Sequence, residues 1–435
     1  MDSQIFNKST FLKNLKTYAG GGVVAKFLSV LVFMFIVKIL TVEEFSQLAI
    51  YLIVVDLLTV IASFGLASTM LRIEFLDKKT ILINSIVLLI SSSFILSLFF
   101  LIFFPSLIDI MGGNYTFLIQ YKFIIILAFI VKSLMALFRG FLVSVEEPKI
   151  YIKLMIFMEL LFFIAIIIST LIHFRTENNG LIFVVMSQTL SIFLATIYGF
   201  FLIYKTFPAG NISINVIKTI ISKSWAYMLK NLIGVMQMEA SKIILSIVAT
   251  STILGVYSFY SLVVNKMSFF VGMFDKVYVP KIKNLYTSQD TNKIKHADLL
   301  VKKVTMIYAC LSLLAMLSIA LIFIFISNNK SLFTFLNQEY LDYLDLFFLI
   351  ILSWVIGNFR SFFDVWQYMD KKTLNIRLLG SHFVILLLLY FGGLWFYSYF
   401  DMFGLIYNQL LITICYLIFS VYQYKKYCMS EGSDQ

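Results

Sequence analysis

Twelve stretches of this chain are apolar for long enough to cross a bilayer, and that pattern leaves few folds open. They run at about 18–40, 46–70, 80–104, 117–139, 150–172 and 180–204, then at about 222–249, 254–275, 304–326, 343–368, 374–397 and 402–424. Each comes near or exceeds the ~20 residues that an α-helix needs to span the hydrocarbon layer. No water is present there to satisfy backbone N–H and C=O groups, so spans of this kind are helices. The expected fold is an all-α polytopic membrane protein with about twelve transmembrane helices. Composition agrees: 61% of residues are hydrophobic and 13% charged, against roughly 25% charged in a soluble domain. The four prolines, Pro105, Pro148, Pro208 and Pro280, stand at or beyond the ends of these runs, where a missing N–H costs least. The Gly20–Gly22 triplet opens the first run and reads equally as a hinge, a close-packed start or a frayed one.

Charge sets the expected orientation. Lys and Arg number 24 in the N-terminal tail, alternate loops and C-terminal tail, against 2 (Arg175 and Lys330) in the loops between. Basic loops stay on the cytoplasmic side, which places both termini in the cytoplasm and requires an even number of spans. The excess of Lys+Arg (34) over Asp+Glu (23) therefore reads as membrane orientation, not as a nucleic-acid surface. The first apolar run leads straight into eleven more, so a cleaved signal peptide is not expected. No GxxxxGK[ST] phosphate loop is present, which argues against ATP hydrolysis by this chain. Cys310, Cys415 and Cys428 form no disulfide or ligand pattern, and His173, His296 and His382 are far apart in sequence. Neither a metal nor a cofactor is expected. Residues 5–18 alternate apolar side chains with Lys8, Lys13 and Lys16 in the manner of an interfacial anchor.

The chain also repeats itself. Tyr51-Leu-Ile-Val-Val-Asp56 and Tyr260-Ser-Leu-Val-Val-Asn265 share four of six positions at an offset of 209. They fall in the second and eighth spans, equivalent places in a six-plus-six duplication. Six spans preserve orientation, so this is a parallel repeat, and transporters with such repeats bind substrate near the midplane between the halves.

Eight cations remain inside the spans: Lys26, Lys38, Lys122, Lys132, Lys230, Lys242, Lys266 and Arg360. Four acids are well embedded: Asp56, Glu159, Glu239 and Asp364. Each charge at a helix centre costs about 2.5–3.5 kcal/mol on insertion scales, so these groups snorkel, pair or line a wet cavity. Lys38 and Lys122 lie near span ends, within snorkelling reach of the interface. Glu239 with Lys242, and Arg360 with Asp364, have the i,i+3 and i,i+4 spacing of local pairs. Lys26, Lys132, Lys230 and Lys266 lack an acid at that spacing. With Arg360 they are the candidate substrate-binding residues, a cationic cavity suited to a phosphate or pyrophosphate. Asp56, Glu159 and Asp364 are the ion-coupling candidates. For Asp56 an interhelical partner such as Lys26 is an equal reading.

The segment Leu40-Thr-Val-Glu-Glu-Phe-Ser-Gln-Leu48, followed by a span ending Ser63-Phe-Gly-Leu-Ala-Ser68, resembles the opening of polysaccharide-unit flippases. Gly255-Val-Tyr-Ser258 and Val277-Tyr-Val-Pro280 resemble their eighth span and its exit, although Ser46 stands where those proteins usually have glycine. These are the Wzx-type O-antigen and capsule transporters of the multidrug/oligosaccharidyl-lipid/polysaccharide (MOP) superfamily. The resemblance implies two six-helix bundles, 1–209 and 210–435, around a central cavity. It implies alternating access that moves an undecaprenyl-pyrophosphate-linked oligosaccharide between the leaflets of the bacterial inner membrane. It further implies an ion gradient as driving force, and a polysaccharide polymerase and a chain-length regulator as partners in lipopolysaccharide assembly. The alternatives are a MATE-like drug/cation antiporter, which an excess of in-span cations disfavours, and a peptidoglycan-precursor flippase, which usually has fourteen spans. A membrane polymerase is disfavoured by the short outward loops.

Overall fold

The computed structural model describes residues 8–70, 77–111, 115–176, 179–207, 210–266, 338–363 and 376–433, with isolated positions between 299 and 328. Helices α1 (Lys8–Ile39), α2 (Val42–Ser63), α3 (Leu66–Met70), α4 (Lys78–Met111) and α5 (Phe117–Gln120) come first. They are followed by α6 (Lys122–Ser144), α7 (Pro148–Thr176), α8 (Gly180–Thr206) and α9 (Ile214–Val248). Then come α10 (251–266), α11 (Gln338–Leu341), α12 (Leu344–Phe363) and α13 (Ile376–Ser433). No strand occurs among the described residues.

Among the described residues, eight helical segments are long and apolar enough to cross a membrane. One of them, Leu379–Gln423, holds both the eleventh and the twelfth expected spans. It is broken at Phe400 (φ −132°) and Asp401 (φ 50°), which leave the helical region. The described parts of the other expected spans are helical as well. Their outward faces require lipid: on α4, Phe94, Ile95 and Ile102 are 63%, 67% and 67% exposed, an apolar surface that water does not tolerate. Trp225 and Trp395 are also exposed. Several hydroxyls inside the spans return to their own helix. Thr59 donates to the Val55 carbonyl (2.7 Å), Ser133 to Phe129 (2.7 Å) and Thr170 to Ile166 (2.7 Å), which satisfies them without a partner helix.

Two expectations are refined. Pro105 lies inside α4, which runs on to Met111. Beyond the expected span the helix takes in Leu107, Ile108, Ile110 and Met111, interrupted by Ser106 and Asp109. Pro148 is the first residue of α7, where proline's fixed φ and absent N–H suit a helix start. At Gly20–Gly22 α1 is unbroken. A Cβ on Gly21 would run into the Ile152 side chain of α7, whereas Gly20 has open space. Of the two, Gly21 serves close packing and Gly20 does not.

By internal packing the chain forms two compact units: Lys16–Glu239, and Ala240–Gln435 with the N-terminal residues to Leu15. In the first unit α6 packs against α2 and α8, and α7 lies along α8. In the second, α12 packs on α13. Gln409 of α13 accepts hydrogen bonds there from Ser241 (3.2 Å) and Tyr257 (3.1 Å).

The start of α2 shows why its sequence matters. Thr41 caps the helix, its Oγ1 accepting from the Glu44 N–H (3.2 Å), while Glu44 Oε2 accepts from the Thr41 N–H (3.0 Å). This capping box satisfies two N–H groups that a helix start leaves without partners. Glu44 Oε1 also accepts from the Gly180 N–H (2.8 Å), which ties the start of α2 to that of α8. Ser46 is buried and donates to the Glu43 carbonyl (2.7 Å). Glu44→Ala is therefore expected to lose about 1–2 kcal/mol, read as a lower melting temperature of the purified protein. Thr41→Ser, which keeps the cap, is expected to stay near wild type.

At an offset of 209 residues, α10 begins in the same way. Thr250 Oγ1 accepts from the Ile253 N–H (3.4 Å). Phe45, Leu48, Tyr51 and Val55 are buried, as are their counterparts Leu254, Tyr257, Tyr260 and Val264. The sequence repeat is thus also a repeat of cap and buried face.

The other quoted motif, Ser63 to Ser68, is the break between α2 and α3. Phe64 (φ 48°) and Gly65 (φ 69°) are both left-handed. Gly65 lies against the backbone of α9, and a Cβ there would stand 2.6 Å from the Met228 nitrogen and 2.7 Å from the Ser224 oxygen.

Candidate functional site

The middle of the first unit brings two of the sequence candidates together. Asp56 lies 14 residues into α2 and Lys132 10 residues into α6, about 21 and 15 Å along helices that rise 1.5 Å per residue. Their side chains form an ion pair, Lys132 Nζ donating to Asp56 Oδ1. Both are about a third exposed, at 32% and 35%. Asp56 thus has an interhelical partner, and it is Lys132 and not Lys26. No regularity of sequence joins positions 76 residues apart. The packing of α2 on α6 does so.

Beside the pair is a recess of about 220 Å³, counting the space at its open mouth. Tyr51, Leu52 and Val55 of α2 line it, with Ala128 and Lys132 of α6 and Gln188, Thr189 and Ile192 of α8. The helical spacings 51–55, 128–132 and 188–192 each put one face of a helix on the recess. The Tyr51 hydroxyl lies 3.5 Å from Thr189 Oγ1. An ammonium, a phenol, a hydroxyl and a carboxamide therefore surround the same space, and all four can donate hydrogen bonds. The walls also come close away from the pair. Ser133 Oγ, which donates within α6, lies 3.2 Å from the Thr59 carbonyl of α2. Thr196 Oγ1, which donates to the Ile192 carbonyl of its own helix (2.7 Å), lies 3.4 Å from the Val131 carbonyl of α6.

Sequence reasoning did not single out Gln188 or Thr189, which carry no charge and sit in an ordinary apolar run. Tyr51 opens the repeated motif, a signal read as internal duplication and not as a site.

The other candidates lie on other helices or outside the described residues. Lys26 on α1, Glu159 on α7 and Lys230 on α9 are half-buried within the first unit, and Lys266 at 266 of α10 is half-buried in the second. Arg360 is on α12, its side chain outside the described set, and Asp364 is outside the described residues. Lys242 is buried. Lys38 and Lys122 behave as end-of-span lysines, with Nζ atoms 5.4 Å from the Phe174 ring and 5.3 Å from the Phe123 ring. His382 is buried and hydrogen-bonds the Tyr416 hydroxyl. Among the described residues no group of three His, Cys, Asp or Glu side chains is placed to hold a metal ion.

A family model described as polysaccharide biosynthesis protein matches residues 11–286, more than half of the chain. The chain belongs to the polysaccharide biosynthesis protein family. The matched region takes in Lys26, Asp56, Lys132, Glu159, Lys230 and Lys266. No curated protein matches the chain. Among solved structures, a MATE crystallised in complex with MaL6 is similar over 97% of each chain, with a TM-score of 0.69 and 12% identity. An inward-facing multidrug resistance MATE family transporter of the MOP superfamily is similar over 95% of this chain and all of its own, at TM-score 0.67 and 14% identity. A MOP superfamily transporter from Pyrococcus furiosus matches over 96% of this chain and 94% of its own, at TM-score 0.65 and 12% identity; its structure is described by a reverse polarity of the binding pocket that suggests a different function. This family member thus has the fold of the MATE structures, as the sequence resemblance implied, and is a multi-pass membrane protein.

Proposed function

We propose that this chain is a flippase that moves an undecaprenyl-pyrophosphate-linked oligosaccharide from the cytoplasmic to the periplasmic leaflet of the bacterial inner membrane by alternating access. The observation that carries the reading is the placement of the in-span cations. Lys26, Lys132, Lys230 and Lys266 are all half-buried. Cations are not retained at that depth for stability, since each costs about 2.5–3.5 kcal/mol at a helix centre. In a polysaccharide biosynthesis protein, cations of this kind suit the pyrophosphate of a lipid carrier, or acidic sugars attached to it, as anionic ligands. The Pyrococcus furiosus transporter supports the step from fold to substrate: on a related fold, a changed pocket polarity is taken to mean a changed function.

In this reading Lys26, Lys132, Lys230, Lys266 and Arg360 hold the anionic groups, and Asp56, Glu159 and Asp364 are available to couple an ion. The duplicated halves are 1–209 and 210–435, both termini are cytoplasmic, and a polymerase and a chain-length regulator take the product onward. No step requires catalysis by the chain itself.

Deleting the chain from its host is expected to abolish the surface polysaccharide and to leave its lipid-linked unit on the cytoplasmic side. Wild-type surface polysaccharide in the deletion strain overturns the proposal. A changed drug susceptibility with normal polysaccharide would instead identify an antiporter.

A further inference from the structure

The Asp56–Lys132 pair does more than neutralise two charges. An ion pair a third exposed at each end contributes little to stability, and α2, α6 and α8 already pack on one another. Lys132 also lines the recess, so its ammonium faces two claims: the Asp56 carboxylate in its own fold, and any anion that enters. Tyr51, Gln188 and Thr189 supply further hydrogen-bond donors beside it. The recess has room for about one water-sized group, enough for a single oxygen of an anion to reach the ammonium and not for a repeat unit of several sugars.

We infer that Asp56 is a built-in competitor for the anionic head group: it holds Lys132 when the recess is empty and yields it to phosphate oxygens when substrate enters. The inference rests on the flippase reading and assigns Asp56 a role other than ion coupling. The carboxylate tunes affinity. Without it Lys132 is a permanently available cation, and the substrate binds tightly and leaves slowly. With it, release is assisted by re-formation of the pair, which suits a transporter that must let go at the far leaflet. Tyr51, Gln188 and Thr189 become positioning residues for the displaced ammonium and the incoming oxygens.

The test is a double-mutant cycle on the full-length protein in nanodiscs, measuring equilibrium binding of geranyl pyrophosphate and, separately, of inorganic pyrophosphate. Asp56→Asn is expected to bind geranyl pyrophosphate at least tenfold more tightly than wild type, and Lys132→Gln at least tenfold more weakly. The double variant is expected to match Lys132→Gln, because without the cation nothing remains to compete for. Asp56→Glu, which keeps a carboxylate at the same place, is expected to bind as wild type and guards against a general loss of fold. Tightening for both probes marks pyrophosphate itself as the recognised group, and tightening for the isoprenyl probe alone marks the lipid-borne form. Wild-type affinity in Asp56→Asn, or an Asp56 effect that persists without Lys132, overturns the competitor role while leaving the substrate reading intact. Binding of neither probe by any variant overturns both.

Discussion

Lys132→Ala is expected to lower surface-polysaccharide export at least tenfold while the protein still inserts and remains folded. Two effects combine. The substitution removes the one candidate cation shown to border the recess, and with it a charge-assisted contact to phosphate. It also leaves Asp56 without its partner. Removing one member of a fully buried pair costs about 3–5 kcal/mol, but each end here is about a third exposed. Solvent screening reduces the stability loss to about 1–2 kcal/mol, too little to unfold a well-packed bundle. Export per molecule of membrane-inserted protein and the melting temperature separate the two effects. Lys132→Arg, which keeps the charge but changes its shape, is expected to retain part of the export. Equal export from all three proteins would remove Lys132 from the site.

Gly65→Val is expected to have the largest structural effect, with loss of most correctly folded protein. Its φ of 69° lies in the left-handed region, where a residue with a Cβ pays about 1–2 kcal/mol, and more when β-branched. The new Cβ would also stand 2.6 and 2.7 Å from backbone atoms of α9, which cannot rotate away as a side chain can. Overpacking of this kind adds about 1–3 kcal/mol. The measurement is the monodisperse fraction after detergent extraction. Gly20→Ala is the control: nothing lies within 4 Å of its Cβ position, and added helix propensity makes it neutral or slightly stabilising. A Gly65→Val protein as monodisperse as wild type would contradict the close approach of Gly65 to α9.

The difference between these two positions shows what the sequence makes legible. Hydropathy located the spans because burial in lipid acts on every residue of a helix at once. The Asp56–Lys132 pair was only half legible. Each residue announces itself as a charge out of place, but the partner of Asp56 depends on which helix packs beside α2. The sequence suggests Lys26 as such a partner, and the packing supplies Lys132. Gln188 and Thr189 carried no signal, since a single amide or hydroxyl in an apolar span costs too little to stand out. The motif around Glu44 was visible as a family resemblance, yet its physical content is a capping box and a tie to Gly180. Pro105 misleads in the opposite direction, because α4 continues past it.

The central claim is that this protein carries an anionic, pyrophosphate-linked lipid across the bilayer with Lys132 on its path. The most direct measurement is leaflet exchange of a fluorescent isoprenyl-pyrophosphate-linked oligosaccharide in proteoliposomes, read by a membrane-impermeant quencher. The account predicts that wild-type protein moves the probe out of the quencher-accessible leaflet pool, and that Lys132→Ala, reconstituted at equal density, moves it at least tenfold more slowly. Exchange no faster than in protein-free liposomes, or an equal rate with Lys132→Ala, would contradict it.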